Sequence, residues 1–133
     1  MINFLQNFEQ KGLLKKCDPL QARASNTRSL KQLRQKFEHP DERVRFLAYY
    51  DAVFRLLELK LSTYGLALSD QPHATFRKIF RHLYPDINIS ETDLAGLSRT
   101  RHRVKKEYEK PLLSDLAVIK NIFEKIQKIS EKI

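Results

Sequence analysis

Apolar residues recur at helical spacing along most of the chain. Ile2, Phe4, Leu5 and Phe8 mark a short amphipathic piece that Gly12 ends. Asp18-Pro19 reads as a helix start, because proline suits the first helical position. That helix is predicted to run to about Glu38, with Leu30, Leu33 and Phe37 as a narrow seam. His39-Pro40-Asp41 breaks the chain and Asp41 caps the next helix, Glu42 to about Tyr64. This second helix is apolar around most of its circumference, through Phe46, Leu47, Tyr49, Tyr50, Val53, Phe54, Leu56, Leu57 and Leu61. Such a helix belongs in the middle of a bundle or at a subunit interface. Gly65 ends it, and residues 66–72 read as a loop. Pro72 starts a third helix with Phe76, Ile79, Phe80 and Leu83 inward, closed by Tyr84-Pro85-Asp86. Ser90 and Asp93 form a capping-box pattern for a fourth helix that Pro111 stops. Ser114 is placed to cap a fifth, with Leu116, Ile119, Phe123, Ile126 and Ile133 at heptad-like spacing and Ile122 and Ile129 beside them. No stretch reads as a strand and no internal repeat is visible. The expected fold is all-α: an antiparallel up-down bundle of four to five helices. Residues 1–17 form an N-terminal amphipathic arm, and residues 18–133 a single helical domain.

Two polar features interrupt this pattern. The second helix keeps one narrow strip, Asp51, Arg55, Glu58 and Ser62. It reads either as a solvated strip with ion pairs from Asp51 to Arg55 and Arg55 to Glu58, or as one wall of a polar cleft. On the fourth helix Leu94, Leu97, Val104 and Tyr108 share a face, and Arg101 lies in the middle of it. An arginine in an apolar stripe needs a carboxylate, a phosphate or water to be tolerated. Asp51 and Glu58 are the expected buried acidic partners. The opposite face of this helix, Arg99, His102, Arg103 and Lys106, is a basic solvated surface.

Charge sharpens the picture. The chain of 133 residues carries 25 Lys and Arg against 16 Asp and Glu, a formal net charge of +9. Residues 11–36 alone hold eight Lys/Arg against one Asp. A polyanionic partner is the corresponding expectation: nucleic acid, nucleotide phosphates or an acidic protein. Arg101, Lys105 and Lys106, with Arg77 and Arg81 from the row that these two form with His73 at i, i+4 and i+8, are the candidate phosphate-binding residues, His73 itself not among them. The single cysteine, Cys17, excludes an intramolecular disulfide and a cysteine-type zinc site, which points to a reducing, cytoplasmic setting. No apolar run is long enough to cross a bilayer, and the first residues lack a signal-peptide core. There is no Gly-rich phosphate loop and no i,i+4 histidine pair, so neither a metal nor a cofactor is expected. His73 and His82 read as surface histidines.

The run YYDAVFRLLELKL, then HATFRKIF one loop later, then a helix carrying Arg101 and Tyr108, resembles the HEPN superfamily. The resemblance covers roughly residues 19–132 by helix order. It implies a small helical bundle, a homodimer, and a role as an RNase toxin or as partner of a nucleotidyltransferase. The family motif is Arg, four to six residues, His, then X-Tyr. Arg101 matches its arginine and Tyr108 its tyrosine, whereas the histidine position holds Lys106. The spacing Arg-x4-His also occurs at Arg34–His39 and Arg77–His82. In the family the histidine serves as the RNase acid/base. A lysine, protonated at neutral pH unless buried, stabilises phosphate but is a poor base. The resemblance thus implies binding of RNA, nucleotide or a nucleotidyltransferase partner at a basic site without efficient catalysis. Metal-independent RNase activity through Arg101 and His102 is the alternative, and a purely structural interaction module a third. It also implies Tyr108 as a possible modification site in a toxin–antitoxin pair.

Overall fold

Local capping decides where three of the helices begin. The computed structural model describes residues 2–69 and 72–131. Among these the chain is mostly helical, in the order α1 (Ile2–Gln10), β1 (Leu14–Lys16), α2 (Pro19–Arg34), α3 (Glu42–Ser62), β2 (Leu66–Leu68), α4 (Pro72–Leu83), α5 (Glu91–Glu107) and α6 (Leu113–Glu131). The Asp18 carboxylate accepts the Leu20 N–H at 3.0 Å, and Pro19 follows at the first helical position. Asp41 accepts the Arg43 N–H at 2.9 Å, and hydrogen bonds from Arg43 hold its carboxyl below the ordinary range. Ser90 Oγ accepts the Asp93 N–H at 3.0 Å, while Asp93 reaches back to the Ser90 N–H at 3.5 Å. The expected capping box is therefore formed. Ser90→Ala is expected to cost about 1 kcal/mol of stability, measured by urea denaturation. An unchanged midpoint would mean that this cap contributes nothing.

α3 is the centre of the molecule and packs against α2, α4, α5 and α6. Phe46, Ala52, Val53, Leu57 and Leu61 on it are fully buried, as its nearly all-round apolar surface requires. Phe76, Ile79 and Phe80 from α4 and Ile119 and Ile126 from α6 complete the core. An aromatic seam runs through it: Phe76 lies 5.4 Å from Phe54, 5.8 Å from Phe80 and 6.1 Å from Tyr50 between ring centroids.

The structure departs from the sequence-based expectation in four places. First, a short ribbon forms between residues 14–16 of the expected N-terminal arm and residues 66–68 of the expected loop. β1 and β2 pair antiparallel in the register Leu14↔Leu68, Lys15↔Ala67, Lys16↔Leu66. Cys17 N–H to Gly65 O and Ser69 N–H to Leu13 O extend the ladder at both ends. Three-residue strands carry too little alternation to register as period two, and their partners lie some fifty positions away. Residues 2–17 are accordingly stapled to the rest of the chain, with Leu5 and Phe8 inside the common core. Second, α2 ends at Arg34 rather than near Glu38. Tight turns through Leu33–Lys36 and Arg34–Phe37 follow, and Phe37 stacks on Tyr49 at 3.9 Å. Third, α5 ends at Glu107, and Tyr108 adopts the left-handed conformation with φ 57°. Arg43 Nη1 donates to the Tyr108 carbonyl at 3.0 Å and holds this terminus. Tyr108 thus leaves the apolar face assigned to it and is 76 % exposed, while Thr100 takes an inward position instead. Fourth, α6 starts at Leu113, so Ser114 lies inside its first turn. Ile133 and the side chain of Ile2 lie outside what is described.

Candidate functional site

Arg101 projects from α5 toward α3. Its Nε lies 3.4 Å from Asp51 Oδ1, and its guanidinium carbon sits 5.4 Å over the Tyr50 ring. The arginine side chain is 18 % exposed. The pair forms one wall of an open cleft of about 580 Å³. α3 contributes Asp51, Phe54, Arg55 and Glu58; α4 contributes His73; α5 adds Lys105; and Lys36 reaches in from the turn after α2. Asp51, Arg55 and Glu58 of the polar strip of α3 therefore face a cleft, whereas Ser62 is buried and donates to the Leu59 carbonyl. One of the strip's expected internal pairs forms as well. Arg55 Nη1 binds Glu58 Oε1 at 3.1 Å, whereas Asp51 goes to Arg101.

Two assignments to the acidic residues need correction. Asp51 is 40 % exposed at its side chain, so it is a cleft-edge carboxylate and not a buried one. Glu58 is the more enclosed of the two, and it pairs with Arg55 instead of Arg101. Burial pushes the Glu58 carboxyl above its ordinary range, against the pull of Arg55. Of four cations around the cleft, Lys36 and Lys105 are exposed and unpaired among the described residues, while Arg101 and Arg55 are held by carboxylates. The result is an electropositive cleft with two guanidinium groups fixed by carboxylates.

His73 is the residue that sequence reasoning missed. It is not a surface histidine: it is half-buried in this cleft, its ring 5.0 Å from Phe54 and 6.2 Å from Tyr50. Its Nδ1 is buried without a hydrogen-bond partner. Burial lowers its pKa, helped by Arg101, Lys105 and Arg77 and opposed by Asp51, so the neutral imidazole is favoured at neutral pH. Its position next to Pro72 at the start of α4 gave no hint, because the contact is made with α3 and α5. A depressed histidine pKa contributes stability above the ordinary value of 6.5 that is lost as pH falls through the folded value. Glu58, with a raised pKa, works in the opposite direction, stabilising at low pH and losing that contribution as pH rises. Comparing the parent protein with His73→Gln isolates the histidine. The variant's melting temperature is expected to fall less between pH 7 and pH 5; parallel curves would contradict the assignment.

The other expected site residues divide. Lys105 joins Arg101 in the cleft. His102 and Lys106 are exposed on the outer ridge of α5 and do not line it. Arg77 donates to Ser98 Oγ at 3.3 Å, bridging α4 and α5 next to the cleft. Arg81 points into a separate groove with Lys78 and Asp86, so the row His73, Arg77 and Arg81 does not act at one place. His82 is exposed and stacks on Phe4 at 3.7 Å. Burial raises the Cys17 thiol, which disfavours a reactive thiolate. No group of His, Cys, Asp and Glu able to hold a metal occurs among the described residues, and no described helix is long and apolar enough to cross a membrane.

The arrangement can bind an anion through a guanidinium whose Nε edge is already oriented by a carboxylate. Comparison of the chain with protein-family models, with curated proteins and with solved structures gives no match.

Proposed function

We propose that this protein is a HEPN-like module that binds the phosphates of RNA or of a nucleotide in the Arg101 cleft. One observation carries the reading: the guanidinium is held between Asp51 and the Tyr50 ring at the wall of an open basic cleft. Asp51 meets the Nε edge, which leaves the Nη pair of the fork for a second, bidentate anion. Lys105 and Lys36 add long-range attraction, and Phe54 and His73 offer ring surfaces beside the phosphate position. A homodimer or a nucleotidyltransferase partner is compatible with this reading and is not required by it. Binding of single-stranded RNA should weaken steeply with salt. With about four phosphates neutralised, affinity is expected to drop roughly fiftyfold between 50 and 200 mM salt. No RNA retention at 50 mM salt would defeat the proposal.

A second reading, metal-independent RNA cleavage, is favoured by one observation, the placement of His73 in the same cleft as Arg101, where burial lowers its pKa. In this reading His73 takes the proton of a ribose 2′-hydroxyl as its oxygen attacks the adjacent phosphorus. The 5′-oxygen leaves and is protonated by solvent, and Arg101 holds the non-bridging oxygens. Products would carry a 2′,3′-cyclic phosphate. Intact RNA after prolonged incubation with the parent protein in chelator would restrict the function to binding.

A further inference from the structure

Resting on the phosphate-binding reading of the Arg101 cleft, we infer that the ligand is a single polynucleotide strand that crosses over α5 and occupies a groove on each of its flanks. The second groove, of about 630 Å³, lies between α5 and α6. Arg99 and Arg103 reach it from α5, and Lys125 from α6.

The helical repeat explains why one element serves both sides. Leu94, Leu97, Thr100 and Val104 take the inward face of α5. Arg101 and Lys105 fall on the edge toward α3 and α4, while Arg99 and Arg103 fall on the edge toward α6. His102 and Lys106 stand exposed on the ridge between them. Basic side chains therefore form a continuous track from one groove, over the ridge, into the other. Gly96 keeps the wall of the second groove low, since it has no side chain to fill it.

The carboxylates of the second groove are already engaged. Asp93 is committed to the capping box with Ser90, and Asp115 accepts the Thr100 hydroxyl at 2.6 Å. Arg103 is partly occupied, by Thr100 Oγ1 at 3.3 Å and by Glu109 at 3.8 Å. Arg99 and Lys125 have no ion pair among the described residues, and the groove is lined by three cations, Arg99, Arg103 and Lys125, against the two carboxylates Asp93 and Asp115, which keep their charge.

Geometry selects the ligand class. A helix with its side chains is about 10–12 Å across, so a mononucleotide fills one groove and not both. At about 3.4 Å per phosphate along a stacked strand, three to four phosphates span the ridge. An RNA duplex does not suit this ridge, because its major groove is too deep and narrow to admit a helix. A flexible single strand drapes over it.

The test is fluorescence anisotropy at 50 mM salt with labelled oligouridylates of two, four, eight and twelve nucleotides. Affinity is expected to rise steeply with length until the strand reaches both grooves, then level off. The double variant Arg99→Glu/Lys125→Glu should weaken the twelve-mer at least tenfold and leave the dinucleotide unchanged. Arg28→Glu/Lys31→Glu, the same charge change on the exposed face of α2, should alter the twelve-mer no more than two- to threefold. A twelve-mer that binds no better than the dinucleotide, equal losses in both double variants, or tighter binding of a duplex would each overturn the two-groove strand while leaving the Arg101 cleft standing. Absence of binding at every length would overturn both.

Discussion

Arg101→Ala is expected to weaken RNA binding about ten- to hundredfold while costing only about 1–2 kcal/mol of stability. The binding loss follows from removing a charge-assisted, bidentate donor, worth roughly 1.5–3 kcal/mol. The stability cost is small because Asp51 is 40 % exposed, so the ion pair is screened by solvent and worth no more than about 1 kcal/mol. Contact with the Tyr50 ring at 5.4 Å adds a comparable amount. A deeply buried pair would behave differently, since leaving its carboxylate alone in the core costs several kcal/mol. Arg101→Lys keeps the charge and loses the fork, and should retain the salt dependence with reduced affinity. Titration with single-stranded RNA beside thermal denaturation reads both effects. A large fall in melting temperature with unchanged RNA affinity would make Arg101 a structural residue and sink the binding reading.

Phe76→Ala is expected to be the most destabilising of the changes considered, at about 3–5 kcal/mol, with a melting temperature lower by roughly 10–20 °C. Phe76 is 1 % exposed and contacts the rings of Tyr50, Phe54 and Phe80. Its deletion opens a cavity under the two residues that shape the cleft, Tyr50 beneath Arg101 and Phe54 beside His73. For a domain with a stability of about 5–15 kcal/mol, that is a large share. Phe76→Leu keeps most of the volume and should be markedly milder. Circular dichroism during heating measures both, and a shift in Phe76→Ala below about 1 kcal/mol would show that the aromatic seam is not what supports the cleft.

The Thr100–Asp115 hydrogen bond illustrates how fold and site are joined. Thr100 is buried on α5 and Asp115 stands in the first turn of α6, where a carboxylate also suits the helix dipole. The same contact draws α5 and α6 together at one end and fixes the carboxylate at the wall of the groove between them.

By itself the order of residues determined the helices and their polarity. Period, proline and caps placed α2, α3, α4 and α5 to within a few residues, because these signals act over one or two turns. It also singled out Arg101, since a charged residue in an apolar stripe is visible wherever the period is clear. Asp51 was legible as a partner for the same reason, being part of a narrow polar strip on an otherwise apolar helix. Only tertiary structure decided what these residues meet. His73 enters the cleft through packing of α4 on α3, a contact with no local signature. The β1–β2 ribbon depends on hydrogen bonds between segments some fifty residues apart. Tyr108 left its stripe because Arg43, from the start of α3, holds a left-handed cap that a tyrosine would not otherwise choose. Periodicity reports which side of an element is apolar; which neighbour covers it, and which polar groups meet at the seam, is set by the free energy of the whole packed chain.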